Sequence, residues 1–256
     1  MERVFLYKRK YRVQLSDVDF TRKLKLSTLF NYFQETASMA SDNLDMGIDT
    51  LAQKYGVAWA LIRVGLEINR NPSWNEEIII ETWPPEPNKF DFPRDFIVRD
   101  LDGNPIIKAI STWIIFDLKT RKIRKSEVIE PNYPEKTKKR ALDWELGNLK
   151  HFGNLQPVYK KVIGYSDIDF NGHLNNSKYI DFMMDCFSVE NHKKYSVRSM
   201  QINYINEALP GDTLVLLRDI SNLHENYIYI EGINEKDNKP IFKAKVKIQP
   251  KNENPA

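Results

Sequence analysis

The string Asp167-Ile168-Asp169-Phe170-Asn171-Gly172-His173 gathers carboxylates, an amide and an imidazole in one short stretch. A carboxylate can activate water or attack directly, an amide can orient either partner, and an imidazole can polarise a carbonyl or carry a proton. These are the parts of a hydrolytic site. Read as an extended segment, the alternation places Asp169, Asn171 and His173 on one side and Phe170 on the other. The string also opens like an EF-hand calcium loop, but position 12, counted from Asp167, is Lys178 where a bidentate Glu is required, and strand-like residues precede it where a helix belongs. No metal site is therefore expected. Alone, Asn171-Gly172 beside Asp169 would read as a turn; the clustering of polar groups, and the way an earlier copy differs, argue for chemistry.

That earlier copy is Ser16-Asp17-Val18-Asp19-Phe20, which Ser166-Asp167-Ile168-Asp169-Phe170 repeats at an offset of 150 residues. Each segment follows a strand-like stretch and precedes an amphipathic run, Leu26 to Met39 or Asn175 to Phe187. The start of the second run offers backbone N–H groups and a positive dipole end to a developing oxyanion. Four strand-like stretches follow each run: Ala58 to Ile68, Glu77 to Trp83, Phe92 to Arg99 and Ile106 to Phe116, then Val197 to Tyr204, Thr213 to Ile220, Tyr227 to Gly232 and Ile241 to Ile248. The expected unit is a strand, a long helix and a four-stranded antiparallel meander, occurring twice, which makes the class α+β with each sheet wrapped around its helix. The boundaries expected are 1–118 for the N-terminal unit, 119–157 for a charged, proline-punctuated linker packed across the surface, and 158–250 for the C-terminal unit.

With 41% hydrophobic and 29% charged residues among 256, the chain has the composition of a folded globular protein. Its net charge of +3 is far from the basic excess of a phosphate-backbone binder, so no nucleic acid is expected. The only cysteine, Cys186, cannot form an intrachain disulfide and reads as a buried structural thiol, consistent with a reducing, cytoplasmic setting. No apolar run approaches the length of a membrane span or a secretory h-region. His151, His192 and His224 lie in polar surroundings and receive no role, while Trp59, Trp83 and Trp113 sit in strand patterns as packing residues, some of them candidates for a pocket wall.

Asp167 to Ile180, with Asn175-Asn176 at its centre, resembles the signature loop of the acyl-acyl-carrier-protein thioesterases. The resemblance extends through Trp59, Arg63, Trp74, Glu81-Thr82-Trp83, Arg94-Asp95-Phe96, Gly103, Ala109, Ser111, Trp113, Arg121 and Arg124, and so covers both halves. It implies a tandem, or double, hotdog fold and hydrolysis of acyl carrier protein (ACP) thioesters to release a free fatty acid and end its synthesis. Carried over by residue, it places Asp169, Asn171, His173 and Glu207 in the catalytic set. Which carboxylate is the base stays open. It also makes Asn175, Asn176, Trp59 and Arg63 substrate-binding residues. At the first copy's loop stand Asp19, Thr21 and Lys23, so that half is expected to be catalytically degenerate and to shape the acyl pocket. Plant members commonly carry Cys after the Glu; here Ala208 follows Glu207, which excludes a cysteine nucleophile there.

The family's cofactor, phosphopantetheine, would arrive on the substrate carrier, leaving no resident cofactor. The implied partner is acidic, and the basic residues Lys119, Arg121, Lys122, Arg124, Lys125, Lys136, Lys138, Lys139 and Arg140, otherwise a solvated face, would steer it. The alternatives are an acyl-CoA thioesterase and a non-catalytic, dehydratase-like acyl-binding protein. A tandem chain can serve as a monomer, or pair through a sheet edge as a homodimer.

Overall fold

The computed structural model describes residues 4–129, 137–150 and 153–251. Lys136 and His151 lie outside the described residues. The chain divides into two compact units, 1–25 with 31–146 and 26–30 with 147–256.

In the first unit the elements run β1 (Tyr7–Arg12), α1 (Leu26–Asn43, of which 26–30 group with the second unit), α2 (Ile48–Tyr55), β2 (Val57–Ile68), β3 (Glu77–Trp83), β4 (Phe92–Arg99), β5 (Pro105–Asp117) and a short β6 (Ile123–Arg124). The strands lie in the order β1-β3-β4-β5-β2, each neighbouring pair antiparallel, with β6 alongside β5. The second unit repeats this with β7 (Gln156–Val162), α3 (Asn176–Met184), α4 (Val189–Lys194), β8 (Tyr195–Tyr204), β9 (Thr213–Asp219), β10 (Tyr227–Asn234) and β11 (Pro240–Pro250). Its order is β7-β9-β10-β11-β8, again antiparallel throughout.

Two expectations need correcting. Only the last three strands of each unit form a meander; β2 pairs with β5 and β8 with β11. The connections after β2 and β8 are too long for a hairpin and are pinned elsewhere: the amides of Asn69 and Arg70 donate to the Ile106 carbonyl, as those of Ile205 and Asn206 donate to Ile241. The helices also differ from the runs read in the sequence. α1 extends to Asn43, whereas α3 stops at Met184, and Ser188 with Asn191 forms a capping box that starts a separate helix, α4.

α1 buries Phe33, Ala37 and Ala40 at helical spacing, and Leu44 just beyond its end is buried as well. Phe33 packs on Phe96 of β4 at 4.6 Å between ring centres, the Thr36 hydroxyl meets Tyr11 of β1 at 2.9 Å, and Arg94 donates to Ser41 at 3.0 Å. β3 shows the strand alternation: Ile78 and Ile80 are buried, while Glu77 and Glu81 pair across to Lys10 and Lys8 of β1, both at 2.7 Å. In the second unit α3 buries Tyr179, Ile180, Phe182 and Met183. Phe242 of β11 lies over Gly232 of β10, where an added Cβ would come within 2.3 Å of the ring, so glycine is what lets the ring approach.

Residues 137–146 pack on the first unit. Trp83 donates its indole N–H to the Lys139 carbonyl at 3.0 Å, and Ala141 and Leu142 join Trp83, Ile97 and Ile110 in one apolar cluster. Buried Asp95 accepts from the Ala141 amide at 2.6 Å and from the Arg140 guanidinium at 3.0 Å. Burial raises the pKa of this carboxyl more than those two donors lower it.

Candidate active site

The Asp167–Asn175 segment is a closed turn, which corrects the extended reading. Asp169 donates its amide to the His173 carbonyl at 2.8 Å, Gly172 donates back to Asp169 at 3.0 Å, and Ile168 bridges to Leu174. Gly172 adopts φ 80°, a left-handed conformation that glycine takes without steric cost. Asp169 Oδ1 accepts the amide hydrogens of Asn171 at 2.8 Å and His173 at 3.3 Å. This carboxylate thus shapes the turn from within. Asn171 projects from the exposed tip.

From the end of the turn, His173 reaches Glu207: Nε2 and Oε2 are 3.5 Å apart. Glu207 lies on the loop after β8, and the Leu174 amide donates to the Ala208 carbonyl at 2.9 Å, which ties that loop to the turn. The side chains keep 29% and 51% of their exposure, so water can reach both. Beneath them Tyr179 is buried, and its phenol pKa is raised first by burial and further by the charges of Glu207 and Asp169, while a hydrogen bond from the Ala208 backbone pulls it down.

Asn175 caps α3, its Oδ1 accepting from Ser177 N and Ser177 Oγ, both at 2.9 Å. Lys178 N donates to the Asn175 carbonyl at 2.8 Å. Among the described residues, this leaves the Asn176 amide as the first-turn N–H without a protein acceptor.

The first unit folds the same turn without these groups. Asp19 Oδ1 accepts from the Thr21 amide at 2.7 Å and the Lys23 amide at 3.3 Å, and Leu24 N donates to Pro72 O at 2.8 Å, as Leu174 does to Ala208. By that register Asn71 stands where Glu207 stands, and Lys23 replaces His173. Lys23 donates to Ser73 Oγ at 2.8 Å. The shape of the loop is kept while the imidazole and the carboxylate are absent.

Trp59 and Arg63 lie on β2 of the first unit. The Trp59 indole donates to the Met46 carbonyl at 3.0 Å and packs edge-on to Phe92 in a cluster with Leu44, Leu51 and Ile115. Arg63 is half-buried beside a bulge in the β2–β5 pairing. Cys186 is buried, and burial pushes its thiol up to about 12, as suits a structural rather than a reactive sulfur. His192 hydrogen-bonds the Met184 carbonyl. Among the described residues there is no cluster of three or more His, Cys, Asp or Glu that could hold a metal, and no helix long and apolar enough to cross a membrane.

Residues 5–131 match the model of the acyl-ACP thioesterase N-terminal domain, and residues 159–250 that of the C-terminal domain. The chain belongs to the acyl-ACP thioesterase family. Members of this family are thioester hydrolases that release fatty acids from acyl carrier protein. Oleoyl-acyl carrier protein thioesterase 2 of Arabidopsis thaliana is 24% identical over 250 residues, covering 91% of this chain and 68% of the relative. The oleoyl-acyl carrier protein thioesterase of Coriandrum sativum is 25% identical over 224 residues, 81% of this chain and 61% of the relative. This family member therefore spans roughly two thirds of the length of those plant enzymes. An acyl-ACP thioesterase from Bacteroides thetaiotaomicron superposes with a TM-score of 0.84 at 26% identity, over 95% of this chain and 98% of the other. The 12:0-ACP thioesterase of Umbellularia californica gives 0.83 at 18% identity, over 97% and 98%, a likeness of fold. The fold is thus the double hotdog of that family.

Proposed function

We propose that this chain hydrolyses long- or medium-chain acyl-ACP with Glu207 as the base, His173 as the proton carrier, Asn171 and Asn176 as orienting and oxyanion-binding groups, and Asp169 as the residue that shapes the turn. The observation that carries this reading is the approach of His173 to Glu207 in the second unit, set against Lys23 and Asn71 in the first. Glu207 is favoured over Asp169 because one Asp169 oxygen is already engaged by two backbone amides.

In the proposed step Glu207 takes a proton from water as the water oxygen bonds to the thioester carbon, and the carbonyl oxygen becomes an oxyanion facing the Asn176 N–H. Collapse breaks the carbon–sulfur bond, and the proton passes from Glu207 through His173 to the departing thiolate. Fatty acid and free carrier thiol result, with no resident metal or redox group involved; phosphopantetheine belongs to the carrier. Asn175 acts through the helix start that it caps. Trp59 and Arg63 are proposed for the acyl-chain side, and a single chain carries the whole proposed catalytic set. The lone buried Cys186 suits a reducing cytoplasmic setting.

The proposed carrier-docking face consists of the exposed Lys119, Lys122, Lys125 and Lys138. Other members of the basic run are engaged: Arg124 pairs with Asp117 at 2.8 Å, Arg140 with Asp95, Arg121 lies over Phe116 and Lys139 over Trp83.

Release of free thiol from acyl-ACP and acyl-CoA, with Glu207→Gln alongside, tests the reading. Turnover of acyl-ACP that falls about 10²-fold or more in the variant supports it. Indifference to the carrier makes the chain an acyl-CoA thioesterase, and acyl binding without turnover makes it a binding protein.

A further inference from the structure

Besides the hydrogen bond from the Ala208 backbone to the Tyr179 phenol, two ties join the loop carrying Glu207 to the segment carrying His173. One is the Leu174 amide on the Ala208 carbonyl at 2.9 Å. The other is the Tyr204 hydroxyl, which donates to the Asn176 carbonyl at 3.1 Å. Tyr204 ends β8 three residues before Glu207, and Asn176 opens α3 three residues after His173. Glu207 therefore lies on a short span fixed on both sides. The Tyr204 ring is held in turn: Tyr179 meets it edge-on at 5.2 Å and 81°, and Tyr179 meets Phe242 at 5.6 Å.

The first unit supplies the comparison. Its Leu24–Pro72 tie persists at 2.8 Å. The second tie has no chemistry left there. Asn69 and Arg70 donate to Ile106 as Ile205 and Asn206 donate to Ile241, so Ile68 stands at the position of Tyr204; by the repeat of the helix starts, Leu29 stands at the position of Tyr179. The unit that lost the His and Glu also lacks both phenols. A purely structural pair had no reason to track the titratable residues.

We propose that Tyr204, braced by Tyr179, is a positioning residue that holds Glu207 at working distance from His173. This rests on the reading of Glu207 as the base. Burial and the neighbouring Tyr179 lift the Tyr204 pKa well above the ordinary phenol range, so its O–H remains a donor at every pH at which a carboxylate base operates. Without the Tyr204 hydroxyl the span is still held to β11 through the Ile205 and Asn206 amides but loses its tie to the helix start that follows His173, and a misplacement of about 1 Å at a reacting group can cost about 10²-fold.

The test is a kinetic cycle on the full chain with an acyl-ACP substrate, using Tyr204→Phe, Glu207→Gln and the double variant. Tyr204→Phe keeps the ring and removes the tie. It is expected to lower kcat about 10-fold or more with KM within about twofold, and to change the rate less than about twofold when Glu207→Gln is already present. Should Tyr204→Phe fail to fold, Tyr179→Leu, the residue of the first copy, removes the brace and must show the same pattern. Full kcat in the Tyr variant, or an equal loss in the Glu207→Gln background, overturns the positioning role alone. Normal turnover by Glu207→Gln itself overturns the reading of the site and this inference with it.

Discussion

Asp169 and Asp19 accept the same pair of backbone amides in their two turns, so the aspartate is present in both while the His–Glu pair is present in one. This bears on what its removal does. Asp169→Asn keeps an oxygen for the amides of Asn171 and His173, and it is expected to retain far more activity than Asp169→Ala, which opens the turn and should lose about 10²-fold. Equal losses in the two variants, measured as kcat on acyl-ACP, would make Asp169 the base instead of Glu207. Asp169, Asn171 and His173 were legible as one string. Glu207 was legible only through the family resemblance, because it follows a strand on a distant loop with no local pattern to mark it. Tyr179 and Tyr204 were hidden for a different reason: each satisfies an apolar period, and only coordinates reveal which hydroxyl has an acceptor. A second residue-scale expectation concerns Glu81. Burial pulls its pKa up, but bonds to Lys8 at 2.7 Å and Arg99 at 2.9 Å outweigh that and leave it lowered. A carboxyl with a lowered folded-state pKa adds stability above the unfolded-state value and loses it as pH falls through the folded one. Glu81→Gln should therefore lower Tm at neutral pH, with the gap closing below the ordinary carboxylate range; a gap independent of pH would contradict the ion pair.

At the scale of elements, the start of α3 sets the geometry of the site. Its cap is Asn175, whereas Lys25 at the corresponding place before α1 makes no side-chain cap. Asn175→Ala should cost about 1 kcal/mol of stability in denaturant titration. It should also lower kcat, since the Asn176 amide and the His173 backbone both depend on that helix start; an unchanged kcat would detach the helix start from catalysis. Periodicity gave the place of α1 and α3 but not of the short α2 and α4, and propensity gave nearly every strand. Periodicity could not give the end of α3, because the apolar pattern continues through Phe187 while the Ser188 capping box starts a separate helix. Strand order was unreadable for a related reason. The loops after β2 and β8 look like ordinary connections, and only their amides on Ile106 and Ile241 show that they carry the next strand away from its neighbour in sequence.

For the molecule as a whole, duplication followed by divergence accounts for a chain with two equivalent turns and one proposed site. Self-similarity made the doubled architecture legible before any coordinates, since a repeated string, helix and set of strands have few other solutions. What composition left open was the use of the basic run. Several of its members are engaged with Asp117, Asp95 or aromatic rings, which leaves Lys119, Lys122, Lys125 and Lys138 as the cationic face proposed for the carrier. Changing these four to Glu should raise KM for acyl-ACP, flatten its salt dependence and leave acyl-CoA kinetics alone; unchanged carrier kinetics would remove that face from docking. In the proposed reading, one His–Glu pair in the second unit hydrolyses carrier-bound acyl thioesters. That reading is tested most directly by initial rates of thiol release from the same acyl chain on ACP and on CoA, for the parent chain and for His173→Ala. Release is expected to be faster from ACP and reduced about 10²-fold or more in the folded variant. Undiminished release by His173→Ala, or no release from either donor by the parent chain, would contradict it.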